Sequence, residues 1–188
     1  MYFNKTRARF RRILSAFTVI LALTLTSCIN DPDPAESALR VGDRCPDFTI
    51  TLADGRLFSP EMFRGEGGLI VFFNTGCKDC RAEFPEVQKA YDQLSSLNGI
   101  IPTLPGFEFV CIARDQGPEV VADYWAANSL TLPYCATGDR AVYSLFAPSV
   151  IPRLYLIDRN LTISRIWTDS DAPSAETLLQ AFRSMRTR

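Results

Sequence analysis

Apolar and polar positions change period several times along this chain, and each change predicts an element. Residues 69–73 (Leu-Ile-Val-Phe-Phe) form an unbroken apolar run of strand length, the pattern of a strand covered on both faces. From Lys78 the spacing lengthens. Phe84, Val87, Tyr91 and Leu94 recur at three- and four-residue steps, which predicts a helix with that stripe inward, stopped by Asn98-Gly99. Residues 107–113 repeat the strand pattern, and Pro118 opens a helix whose apolar positions are Val120, Val121, Tyr124 and Trp125. A short strand over 132–135 and a small helix near 140–146 follow. An antiparallel pair over 154–157 and 161–167 turns at Asp158-Arg159-Asn160, and a final helix after Pro173 directs Leu178, Leu179 and Phe182 inward. Upstream, residues 47–52 and 56–58 flank Asp54-Gly55, a strong hairpin signal. The order predicts an α/β domain: a central mixed β-sheet flanked by helices, with an N-terminal β-hairpin extension. About 145 ordered residues bury a proper core without staples.

The first 27 residues do not belong to that pattern. Lys5, Arg7, Arg9, Arg11 and Arg12 stand there with no acid, and residues 13–25 are apolar, too short for a comfortable membrane span. The stretch ends in Leu25-Thr26-Ser27-Cys28. A charged start, a short apolar centre and small residues before a cysteine read as a secretory signal over 1–27. The ending resembles the bacterial lipoprotein signal, in which the cysteine, here Cys28, is lipidated and becomes the first mature residue. An uncleaved anchor helix is the alternative, and it leaves the domain on the same side of the membrane. Residues 28–40, with Asp31-Pro32-Asp33-Pro34, read as a flexible tether, and residues 41–188 as the domain. No internal repeat is present.

Charge narrows the partners. The chain has 20 basic and 21 acidic residues; without the five basic residues of the signal, 15 face 21, a net charge of −6. A mildly acidic domain is a poor binder of nucleic acid, whose phosphates demand clustered Lys and Arg, and of anionic headgroups. Membrane attachment falls to the lipid anchor. Export also places the thiols where they can oxidise. Beyond Cys28 there are Cys45, Cys77, Cys80, Cys111 and Cys135, an odd number, so they are not a simple disulfide framework. Cys111 reads as a buried core thiol, with a disulfide to Cys135 on a neighbouring strand as the alternative; Cys45 has no evident partner.

The chemistry concentrates at Asn-Thr-Gly-Cys-Lys-Asp-Cys-Arg, residues 74–81. Cys77 falls where a strand ends and a helix begins, and Cys80 lies one turn on. Unsatisfied N–H groups and the macrodipole at a helix N-terminus favour a thiolate, and Lys78 adds a cation. That thiolate is the species that attacks a disulfide, with Cys80 placed to resolve the mixed disulfide. Zinc needs more ligands than one such pair supplies in a chain with no histidine. Haem attachment wants His where Arg81 stands. The same absence removes a Cys-His or Ser-His catalytic unit. No cofactor and no metal are expected.

Residues 72–85, Phe-Phe-Asn-Thr-Gly-Cys-Lys-Asp-Cys-Arg-Ala-Glu-Phe-Pro, resemble the active-site segment of membrane-anchored, thioredoxin-like thiol–disulfide oxidoreductases of the TlpA/ResA type, within the redoxin (AhpC/TSA) superfamily. Residues 41–48, Val-Gly-Asp-Arg-Cys-Pro-Asp-Phe, resemble the opening of that domain, and residues 150–158, Val-Ile-Pro-Arg-Leu-Tyr-Leu-Ile-Asp, its segment with a cis proline. The resemblance covers residues 41–187. It implies a thioredoxin-like fold and a cis Pro152 beside the pair, whose preceding backbone groups hold an extended client segment. Bulky Ile151 would shield the thiols from metals. Glu83 matches the family's acid past the second cysteine and would assist proton transfer at Cys80; a solvated helix-face carboxylate is the plainer alternative. Pro85 would kink the helix after the active turn.

Three departures stand out. Gly76 and Asp79 replace the Trp and Pro common in the family, and Arg153 follows Pro152. Gly76 loosens the approach, while Asp79 opposes Lys78; Arg153 and Lys78 together are expected to offset Asp79 at Cys77. The expected protein is lipid-anchored to a bacterial membrane and extracytoplasmic. It exchanges disulfides with client proteins, reducing them by family resemblance, and is recharged by an upstream thiol electron donor. A non-enzymatic platform on the same fold is the alternative from another class. A thiol peroxidase fits less well, because Thr75 precedes Cys77 too closely for peroxidatic spacing.

Overall fold

The structure is a computed structural model that describes residues 38–98 and 107–186. The signal over 1–27, Cys28, most of the tether and Gly99 lie outside the described residues. The hairpin is shorter than the sequence suggests: β1 (Ile50–Thr51) pairs antiparallel with β2 (Leu57–Phe58). The chain just before it is already hydrogen-bonded across the molecule. Arg44 bridges Thr162, and the Cys45 N–H donates to the Leu161 carbonyl at 2.8 Å. Gly55 takes the turn at φ 86, and the Asp54 carboxylate accepts from the Arg56 backbone N–H at 3.0 Å. A 3-10 helix (Pro60–Arg64) then lays the buried Phe63 ring over the next strand, where a Cβ at Gly68 would lie 2.1 Å from it.

The chain continues through β3 (Gly68–Phe73), α1 (Lys78–Asn98), β4 (Glu108–Ala113) and α2 (Pro118–Ala127). It ends through β5 (Tyr134–Cys135), α3 (Ala141–Ser144), β6 (Arg153–Ile157), β7 (Ile163–Thr168) and α4 (Ala175–Arg186). The sheet order is β5-β4-β3-β6-β7, with β4 parallel to β3 and β5, and β6 antiparallel to β3 and β7. β3 is therefore central, and all six of its residues are buried, as its unbroken apolar run requires.

Strand alternation sorts the core into two layers. Leu69, Val71 and Phe73 face the layer of Phe84, Trp125 and Phe182, where the rings of Phe73, Phe84 and Trp125 stand 5.0–5.1 Å apart. Ile70 and Phe72 face Phe58, Tyr143, Phe146 and Tyr155, with Phe72 5.2 Å from Tyr143 and 5.0 Å from Phe146. Each aromatic contact of this kind adds about 0.5–1.5 kcal/mol beyond the area it buries.

Two local expectations change. Val120 is exposed, and α2 buries Val121 and Trp125 with Tyr124 half-buried, so the buried face of α2 centres on 121 and 125. Leu161 is buried but outside β7: it sits at φ 63 and donates its N–H to the Asp158 carbonyl, closing the turn before the strand starts at Ile163.

The disulfide considered between Cys111 and Cys135 is excluded by register. Cys111 pairs with Tyr134 and Ile112 with Cys135, so the two cysteines point to opposite faces, one into each core layer. Both are free buried thiols. Burial pushes the Cys111 thiol well up from its ordinary value. Non-reducing peptide mapping of the purified protein is expected to recover peptides 111 and 135 unlinked, and a 111–135 linkage would refute this register.

Candidate active site

β3 releases the chain at Asn74, and α1 begins at Lys78. The four residues between are held at several points. The Asn74 Oδ1 accepts the Gly76 N–H at 2.9 Å, and its carbonyl accepts the Cys77 N–H at 3.0 Å. Asn74 Nδ2 in turn donates to the Arg114 carbonyl at 3.0 Å, just past the end of β4. Gln116 clasps Thr75 twice: its Oε1 accepts the Thr75 N–H at 2.6 Å, and its Nε2 donates to Thr75 Oγ1 at 2.8 Å. The Cys77 carbonyl accepts the Arg81 N–H at 3.2 Å, starting the helical ladder.

Cys77 emerges half-buried at this helix start, and Cys80 is buried one turn on. Burial, with the neighbouring Cys77 thiol, pushes the Cys80 thiol well up, while the Asn74 backbone N–H opposes the rise. Gly76 has a structural reason: a Cβ there would lie 3.1 Å from Asn74 Oδ1 and press on the cap that shapes the loop.

The second half of the site comes from the loop before β6. The Ile151–Pro152 peptide bond is cis, and Cys77 Sγ lies 3.7 Å from the Ile151 carbonyl oxygen. One residue earlier, the Tyr143 hydroxyl donates to the Val150 carbonyl at 2.7 Å and ties the loop to α3. Pro152 is buried and, with Asp79, Ala82, Glu83, Glu86 and Asp169, lines a cavity of about 130 Å³.

Glu83 is the unusual group here. It is 5% exposed, and its Oε1 has no hydrogen-bond partner among the described residues. Desolvation, with some repulsion from Glu86, pushes its carboxyl up to about 7. It lies three residues past Cys80, so both face the same side of α1.

The remaining expected residues are spread differently. Lys78 and Asp79 are both exposed and make no ion pair or hydrogen bond among the described residues, so solvent screens both charges. Arg153 points to the other face of the sheet, where its Nη1 donates to the Tyr155 hydroxyl at 3.3 Å. Asn74, Gln116 and Tyr143 were not anticipated. Asn74 had a signal, a short polar side chain two residues before a glycine at a strand end, which favours an Asx turn. Gln116, 41 residues beyond Thr75, had none.

A half-exposed thiol at a helix start, a buried second thiol and a cis proline on an α/β sheet define a thioredoxin-fold thiol–disulfide oxidoreductase. The chain belongs to the AhpC/TSA family, which it matches over residues 41–166. It is similar to the thiol–disulfide oxidoreductase ResA of Oceanobacillus iheyensis, at 26% identity over 87% of this chain and 83% of the relative. The Bacillus subtilis ResA is 23% identical over 88% of this chain and 87% of its own length. Among solved structures, a candidate protein disulfide isomerase from Bacteroides thetaiotaomicron superposes with a TM-score of 0.68 and 26% identity, covering 80% of this chain and 92% of that one.

Two outcomes test the geometry. Gln116→Ala leaves the Thr75 N–H and hydroxyl without these partners, and urea unfolding should show a loss of about 1–3 kcal/mol. Glu83 carries a folded pKa raised above its unfolded value. Its stability contribution is therefore complete below the unfolded pKa of 4.5 and is lost as pH rises through about 7. Between pH 4 and pH 8, Glu83→Gln should gain on the wild type by about 3 kcal/mol in unfolding free energy. A pH-independent difference would show that the carboxyl is not shifted.

Proposed function

We propose that this protein is an extracytoplasmic enzyme, lipid-anchored to a bacterial membrane through Cys28, that reduces disulfides in client proteins. The observation that carries the chemistry is Cys77, half-buried at the start of α1 and 3.7 Å from the carbonyl that precedes the cis proline. The anchoring is supported by the signal pattern over 1–27. Among the described residues, no helix is long and apolar enough to cross a membrane.

In the first step the Cys77 thiolate attacks one client sulfur. A Cys77–client disulfide forms, and the other client sulfur leaves as a thiolate. The client segment lies against the Ile151–Pro152 backbone, which keeps its disulfide in line with Cys77. In the second step the Cys80 thiol loses its proton and attacks Cys77. The client leaves as a second thiolate, so the client gains two electrons and the protein holds a Cys77–Cys80 disulfide. A thiol donor restores the dithiol by the reverse exchange.

The second step needs a base, because burial raises the Cys80 thiol and leaves little thiolate at neutral pH. Glu83 is suited to this. With a carboxyl near 7 it is partly ionised at neutral pH, and it faces the same side of α1. Lys78, exposed beside Cys77, adds a solvent-screened positive charge that favours the thiolate, and Asp79 opposes it.

Trapping tests the proposal. A Cys80→Ala variant should accumulate Cys77–client mixed disulfides in cells, released by reductant and absent from Cys77→Ala. No adducts, with a Cys77–Cys80 pair that never cycles between thiol and disulfide, would leave only a binding role.

A further inference from the structure

On the side of the cis-proline loop away from α1 lies a second cavity, of about 340 Å³, walled in part by Leu39, Arg40, Pro148, Val150 and Arg153. Arg153 begins β6 and shares its sheet face with Tyr155, whose hydroxyl accepts from Nη1 at 3.3 Å. Its Nε is buried and lacks a hydrogen-bond partner, and among the described residues Arg153 forms no ion pair with a carboxylate. Arg153 thus lines the cavity with a guanidinium charge that no carboxylate offsets, and an anionic oxygen entering the cavity would supply the missing counter-charge.

The cavity adjoins the cis-proline loop that also faces the exchange site. Val150 lines it, and the carbonyl of the next residue is the one that Cys77 Sγ approaches. Val150 stands at φ 74, a conformation that β-branched residues rarely adopt, with its carbonyl held by Tyr143 and its side chain 38% exposed. Across Pro152 the other cavity is acidic, lined by Asp79, Glu83, Glu86 and Asp169. A chain crossing the loop therefore meets positive charge on one side and negative charge on the other.

We propose that the Arg153 cavity is a client subsite for a carboxylate side chain, an Asp or Glu a few residues from the client cysteine that Cys77 attacks. Arg153 binds the carboxylate, the exposed Arg40 adds positive charge at the cavity, and the acidic side repels it. The client thus docks in one direction and one register. This rests on the exchange reading above, since the subsite acts on the segment whose disulfide is reduced.

The test uses the full chain in detergent and synthetic peptides with an internal disulfide, differing only by Glu, Gln or Lys at one position near the attacked cysteine, scanned position by position. At the best-placed position kcat/KM for the Glu peptide should exceed that for the Lys peptide by about tenfold. The ratio should fall to about one in Arg153→Gln and invert in Arg153→Glu. Because it compares two peptides on one variant, partial loss of fold lowers both rates and leaves the ratio readable. Equal rates for Glu and Lys peptides at every position, or a Glu preference that survives Arg153→Glu, would overturn the subsite alone. A wild type that reduces none of the peptides, the Gln series included, would overturn the exchange reading and the subsite with it.

Discussion

The antiparallel ladder between β3 and β6, in which Phe72 pairs with Arg153, is the constraint on which the site depends. One strand is about to release the chain into the Cys77 loop at that rung, and the other has just received it from the cis-proline loop. Two segments more than 70 residues apart are brought within reach of each other by that pairing, with Cys77 Sγ 3.7 Å from the Ile151 carbonyl. The pairing is secure because β3 is buried on both faces and its side chains alternate between two aromatic layers. Slipping by one residue would exchange the layers, sending Phe73 toward Tyr143 and Phe72 toward Phe84.

Polar contacts refine what the ladder positions. Asn74 and Gln116 fasten the loop to the end of β4, so the start of α1 is held from two neighbouring strands. Tyr143 does the same for the other loop through the Val150 carbonyl. None of these residues is a titratable participant in exchange. They settle backbone groups that would otherwise lie unpaired near a buried thiol, which is costly in a low-dielectric surrounding.

Burial raises two titratable groups of the site, the Cys80 thiol and the Glu83 carboxyl. Lys78 and Asp79 lie between the thiols and attract notice, yet both are exposed to solvent. Glu83, enclosed and unpartnered, has its carboxyl pushed up to about 7. Arg153, next to Pro152 in sequence, faces Tyr155 across the sheet from α1. In a strand, adjacent residues point to opposite faces, so nearness along β6 separates the Arg153 side chain from its neighbour Leu154.

The chain's own patterning determined a great deal. An unbroken apolar run at 69–73, a helical stripe from Phe84, and turn residues at Asp54-Gly55 were enough for the α/β architecture, since local spacing follows the period of the backbone. The redox pair was legible too, because its meaning depends on sitting where one period gives way to the next. Tertiary structure decided matters that depend on distant residues sharing a space. It shortened the hairpin, tied Arg44 and Cys45 to the β6–β7 turn, placed Cys111 and Cys135 on opposite faces, and brought Gln116 to Thr75. It alone showed that Glu83, singled out by resemblance, is a buried carboxyl with a raised pKa rather than a solvated one. Periodicity records which face of an element is apolar; register, burial and desolvation exist only once two elements meet.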